Sequence, residues 1–320
     1  MPFGDITDAF ADLAQLLTQS IVMPLRRRLP DRRGQSSEPG SWGQRVRGTL
    51  VAAGGTVDDD LIVDMIHRGG GRRARALVLP AAHVDFQRAG ERYIRYFTRF
   101  GMQRAEALPL AAREQANDRE VAERIAAADI VFLAGGDAGL LLDVVAGTAS
   151  EAALRECLRR GAVVAAAGAA AGVVGSVAVD WGGAAGVRPG LGLLPGCLID
   201  RQGVQRGRLG RFLQAVASTP DAAWGIGLEE GSALVIEPGW QVVVHGQGPA
   251  LCVDARMLRL PSPSGNGAVK PPLRDPIALL ASAGAPVHVL SDGWRLDLRA
   301  AQILPPAPPP ALPGKSRRRG

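Results

Sequence analysis

Four short runs between residues 50 and 165 are apolar throughout: Leu50–Ala53, Ala76–Leu79, Ile130–Leu133 and Ala162–Ala165. They stop at Gly54-Gly55, at Pro80, at Gly135-Gly136-Asp137 and in a run of small residues. A strand buried on both faces shows no polar alternation, so these runs predict parallel strands inside a covered sheet. Between them, apolar positions recur at helical spacing over Asp60–Arg68, Arg88–Phe100, Asp118–Ala127 and Ser150–Arg160. Strand and helix in alternation predict an α/β protein with a doubly wound, mostly parallel sheet. From about Ala233 the pattern changes to apolar runs alone, at Ala233–Ile236, Gln241–Val244, Ala250–Val253 and Pro286–Leu290. The C-terminal part is therefore expected to be β-rich.

The ends differ from this body. In Met1–Val22, Ile6, Phe10, Leu13, Leu17 and Ile21 recur every three or four residues, an amphipathic helix too short to span a bilayer. Asp5, Asp8 and Asp12 occupy the place of a basic signal-peptide start, and a cytoplasmic location is expected. Five arginines (Arg26–Arg28, Arg32, Arg33) lead into a Gly/Ser/Pro linker, and Pro305–Gly320 reads as a disordered Pro-rich tail. The organisation expected is thus 1–47 helix and linker, 48–304 folded domain, 305–320 tail. The net charge of +6 resides in the two ends, leaving 48–304 neutral. No nucleic acid is expected through the core. Contact of residues 1–33 with an anionic membrane is a weaker reading than packing of that helix on the protein's own surface or on a dimer mate. The three cysteines, Cys157, Cys197 and Cys252, are far apart and form no CxxC, which fits neither a disulfide framework nor a zinc site. No histidine or acid pair has metal-ligand spacing, and no cofactor or metal is expected.

In open α/β sheets, sites form where strands end at their carboxyl edge. Here those edges carry Gly54-Gly55, Gly135-Gly136-Asp137 and the turn after the fourth run, with no GxGxxG for a dinucleotide. Five segments in order, Val131–Asp137, Arg159–Ala165, Gly190–Gly196, Arg206–Phe212 and Gly225–Glu230, resemble the cyanophycinase and aspartyl-dipeptidase (peptidase E) superfamily, the cyanophycinases most of all. The resemblance covers roughly 48–255. It implies a three-layer α/β fold of the class I glutamine amidotransferase or flavodoxin-like kind, dimeric as a rule. It also implies a Ser–His–Glu hydrolase that releases Asp-Arg dipeptides from Arg-decorated polyaspartate.

The residues that carry this chemistry depart from the pattern. The family's strand runs into Gly-Thr-Ser-Ala-Gly, a tight turn that needs small neighbours and lifts the serine clear of the sheet. Counted from Gly161, the nucleophile position here is Gly168, and no Ser, Thr or Cys lies between Cys157 and Ser176. The family's general base follows in Asp-Gln-His-Phe. Here that place reads Asp200-Arg201-Gln202-Gly203, and the Gln202 amide cannot take a proton near neutral pH. Glu230 matches the acid that orients the base. Gly135, Gly136 and Asp137 match the substrate loop, with Ala138 in place of its Gln, and Arg206 matches a substrate-contacting Arg. Losing the members of such a catalytic unit costs on the order of 10⁶ in turnover number. The expectation is a catalytically inactive binding or scaffold protein, pairing with itself or with an active paralogue and holding an aspartyl-peptide or cyanophycin-like ligand. The alternative is an active hydrolase on aspartyl (Asp-Arg type) peptides with relocated machinery, such as Cys197, placed in a loop near the cleft, with His83.

Overall fold

The computed structural model describes residues 46–81, 85–179, 187–201, 209–217, 219, 222–257 and 285–307. The predicted N-terminal helix and nearly all of its linker, the tail from 308, and His83, Gln202 and Arg206 lie outside the described residues.

The predicted runs become parallel strands in a single block. Strand β1 (Thr49–Ala53), β2 (Arg75–Leu79), β3 (Arg104–Ala107), β4 (Ile130–Leu133) and β5 (Val163–Ala167) lie side by side in the order β1-β5-β4-β2-β3. Alternate residues serve opposite faces, because successive side chains of a strand point to opposite sides. Val51 and Ala53 pack with Leu61, Ile62, Met65 and Phe97 from helices Asp59–Arg68 and Phe86–Arg99. Leu50 and Ala52 face the opposite core, with Ile125, Leu154 and Leu158 from helices Arg119–Ala126 and Ala149–Arg160. Four helices begin the same way, with an aspartate accepting a backbone N–H three residues on. These are Asp58 with Leu61, Asp85 with Arg88, Asp118 with Val121, and Asp137 with Leu140.

The chain then leaves for a second sheet through β6 (Gly175–Val179), β7 (Val187–Pro189), β8 (Leu194–Arg201) and β9 (Trp224–Leu228). It returns in β10 (Ala233–Glu237) and β11 (Gln241–His245), crosses again in β12 (Ala250–Asp254) and β13 (Val287–Leu290), and ends in β14 (Arg295–Asp297) and β15 (Gln302–Leu304). The first sheet thus grows to nine strands by antiparallel addition beside β1, and the second has six. One face of the second sheet, with Cys197, Ile199, Trp224, Ile226 and Leu228, closes the core under the parallel block. Its other face is covered by helix Leu209–Ala217, whose Phe212 and Val216 pack on Leu251 and Val253. A Cβ at Gly225 would collide with Val216, so that helix can lie directly on strand backbone. The layers are therefore helices, parallel block, and a mixed layer of helices and second sheet. No helix among the described residues is long and apolar enough to cross a membrane.

Candidate functional site

The carboxyl ends of β1, β4 and β5 open on one cleft of about 670 Å³. Its inner wall is strand-end backbone: Gly55 after β1, Gly135 after β4, and Ala167 with Gly168 after β5. Gly168 sits at φ +57°, the left-handed region, where the chain turns from β5 into the short 3-10 turn Gly168–Val173. Glycine enters that region without a steric penalty. A Cβ built on Gly168 would meet only the Gly135 Cα, at 3.8 Å, so the turn has room for a side chain and carries none. At Gly135 the reverse holds: a Cβ would stand 2.8 Å from the Ala167 carbonyl oxygen. The two glycine backbones meet at the floor of the cleft.

Glu230 reaches this cleft from the second sheet. Strand β10 runs antiparallel to β1 with Ala53 opposite Ala233, so the residues just before β10 arrive at the carboxyl end of β1. The Glu230 carboxylate lies over Gly55, where a Cβ would coincide with it, and its Oε1 accepts the Thr56 N–H at 2.8 Å. The predicted acid and the predicted nucleophile position therefore line the same cleft. Gly135 lines it as well, while Gly136, Asp137 and Ala138 lead away into helix Ala138–Val145, which Asp137 caps.

Reading the sequence missed the outer wall. Helix Phe86–Arg99 lays Arg88, Arg92 and Arg95 along the cleft, at positions i, i+4 and i+7, with Asp85 at its start and Tyr93 between. The Tyr93 ring packs on Phe132 of β4 at 4.5 Å between centroids, and the Arg92 guanidinium lies 5.3 Å from the centre of the same Tyr93 ring. Burial pushes the Tyr93 hydroxyl above its ordinary pKa, outweighing the opposing Arg92 charge, so the phenol stays protonated at neutral pH. The spacing of the three arginines was visible in the sequence, but arginines on a helix read as an ordinary solvated face.

The expectation about relocated machinery at Cys197 is corrected. Cys197 is not in a loop: it is the fourth residue of β8, fully buried, and burial drives its thiol far above the ordinary range. Cys157 and Cys252 are buried too, their pKa values pushed up by burial to about 11 and about 12. A thiol so placed is neither accessible nor ionised. Ser176, the first hydroxyl residue after Gly168, lies outside the cleft. The chain turns into β6, and the Ser176 hydroxyl donates to the Cys197 carbonyl at 3.4 Å. None of the histidines His67, His245 and His288 lines the cleft; His245 instead faces the Asp58 carboxylate at 3.2 Å. No group of three or more His, Cys, Asp or Glu among the described residues could hold a metal ion.

Known proteins place the chain. A family profile described as Peptidase family S51 matches residues 50–242. A cyanophycinase of Nostoc sp. (strain PCC 7120) is 30% identical over 275 residues, 82% of this chain and 89% of that protein. A cyanophycinase of Geminocystis herdmanii is 26% identical over 274 residues, covering 82% and 97%. Among solved structures, a peptidase from an acI-B1 Actinobacterium superposes with a TM-score of 0.58 at 19% identity, over 79% of this chain and 98% of that one, a likeness of fold. With a family match over well over half its length, this chain belongs to peptidase family S51.

Proposed function

We propose that this protein is a catalytically silent, cyanophycinase-like member of the family, a peptidase fold kept as a binding or scaffold protein. The observation that carries the reading is Gly168. The turn keeps its left-handed geometry and its open space, and the position where the reacting oxygen would stand holds only hydrogen. Acyl transfer by this route needs a nucleophile and a base within hydrogen-bond reach of each other. Among the described residues, the groups on the inner wall are the Thr56 hydroxyl and the Glu230 carboxylate, and the latter already accepts a backbone N–H. Gln202, at the base position, offers an amide in place of an imidazole. The role assigned to Glu230 is accordingly that of a tie for the β1 loop rather than an orienter of a base.

A thiol peptidase running on Cys197 finds no support in a residue that no substrate can reach. Iodoacetamide at pH 8 is expected to leave all three cysteines of the native protein unmodified and to alkylate them only after denaturation, read by mass spectrometry.

The test of silence is direct. The purified protein is expected neither to react with a fluorophosphonate probe nor to release dipeptide from cyanophycin. Labelling or release overturns the reading. The paired change Gly168→Ser with Gln202→His, assayed the same way, then measures how much of the pocket survives. Restored turnover means that the surrounding groups still position an aspartyl peptide.

A further inference from the structure

The amino ends of the parallel strands, opposite the cleft, carry a concentration of arginine. The turn at residues 69–74 leads from helix Asp59–Arg68 into β2 and exposes Arg72 and Arg73. The Arg72 carbonyl accepts the Gln103 N–H at 3.0 Å, which sets Arg104, the exposed first residue of β3, beside that turn. Arg104 in turn stands opposite Arg75 in the strand register. Arg72, Arg73 and Arg104 face no carboxylate within ion-pair distance among the described residues. The acids of this corner are already engaged. Glu106 is shared by Arg75 at 3.7 Å and Arg124 at 3.2 Å, while Asp129 accepts the Arg75 N–H at 2.9 Å and has Arg160 at 3.9 Å. Six guanidinium groups thus meet two carboxylates at one corner of a domain whose charges otherwise balance. Gly70 and Gly71, in the same turn, have open space where a Cβ would stand, so a surface can approach the backbone there.

We propose that this arginine corner docks the protein on an anionic bilayer, its guanidinium groups pairing with lipid phosphates and headgroup carboxylates. The place where the chain enters the fold favours a bilayer over other polyanions. Arg47 is exposed at the amino end of β1, on the same side of the sheet as the corner, and its N–H donates to the Leu158 carbonyl at 3.1 Å. The sequence before it holds the apolar repeat from Ile6 to Ile21 and then five arginines, the composition of a segment that lies in a lipid interface. Sequence alone favoured packing of that repeat on protein; the basic corner at the same end of the sheet supplies a second contact for an anionic surface. The distances allow both to meet one plane. Strands β1 and β3 are separated by β5, β4 and β2, a span of about 19 Å. The chain from Arg33 to Val46 extends to about 43 Å. A duplex nucleic acid would match the charge and leave the apolar repeat without a role.

The experiment sediments the full chain with sucrose-loaded vesicles of phosphatidylcholine, alone or with roughly one-third phosphatidylserine. Binding is expected to the anionic vesicles only, and it should decline as salt is raised. Arg72→Gln with Arg73→Gln and Arg104→Gln should lower the partition coefficient about a hundredfold. Because Arg72 also packs over Gly101, a second variant spares it: Arg73→Gln with Arg104→Gln should still weaken binding about tenfold. Arg119→Gln is the control for net charge, since this exposed arginine pairs with Glu123 away from the corner and should leave binding unchanged. Far-UV circular dichroism and the urea midpoint verify that the variants are folded. Absence of binding to the anionic vesicles overturns the proposal, as does equal binding to phosphatidylcholine alone. Full affinity in both corner variants overturns it too and would assign the contact to the chain ends. So does an equal loss in Arg119→Gln, and so does tighter binding to a duplex DNA oligomer than to the vesicles, which would make nucleic acid the partner. Peptidase activity bears on the cleft alone, at the other end of the strands, and leaves these measurements unaffected.

Discussion

The cleft has two walls made from opposite materials. The inner wall is glycine and alanine backbone at the ends of β1, β4 and β5, packed so closely that Gly135 leaves no space for a Cβ. The outer wall is a helix face of long charged side chains whose apolar side, through Phe97, is anchored on the sheet. In the proposed reading, chemistry belongs to the inner wall, where the side chain at Gly168 decides the outcome. Recognition can be carried by the outer wall, which tolerates substitution because its side chains end in solvent. A molecule can therefore lose the first function and retain the second with little change in its architecture.

Substitutions on the two walls should separate them by size of effect. Gly135→Val is expected to be the most damaging, at about 3 kcal/mol, because the branched side chain is forced onto the Ala167 carbonyl and the floor cannot open. Urea denaturation reads this, and an unchanged midpoint would mean that the two backbones do not touch. Gly168→Ser should cost about 2 kcal/mol through its φ of +57° alone. A loss as large as that at Gly135 would refute the room seen there. Glu230→Ala removes the acceptor of the Thr56 N–H and should cost about 1 kcal/mol, accompanied by faster amide exchange at Thr56. On the outer wall, Arg88→Gln and Arg92→Gln should each move stability by no more than about 0.5 kcal/mol. A larger shift would make those arginines part of the packing and would erase the contrast.

How far the sequence disclosed this depends on the same contrast. Strands β1, β2, β4 and β5 were legible because burial on both faces leaves uninterrupted apolar runs. Strand β3 was not: Arg104-Ala105-Glu106-Ala107 is an edge strand whose exposed positions are charged. Helix Ala138–Val145 was missed because its apolar residues have no polar face to give them a period, and β6 through β8 because Gly and Pro interrupt them. Gly168 could be singled out only through the family's turn, since glycine in a run of alanines carries no signal of its own. Cys197 was misplaced in a loop because Gly196 and Pro195 read as a turn, whereas strand β8 carries Gly196 in the left-handed region and continues.

The turn at Gly168 also bears on stability. A serine held at φ +57° is a compressed spring, kept in place by the rest of the fold for the sake of its oxygen. With glycine the spring is slack, and the turn holds no such strain. Enzymes often gain stability when a strained catalytic residue is relaxed. In the proposed reading, a change of Gly168 to serine is then opposed at the first step, since it brings in the strain before Gln202 can be changed to supply a base.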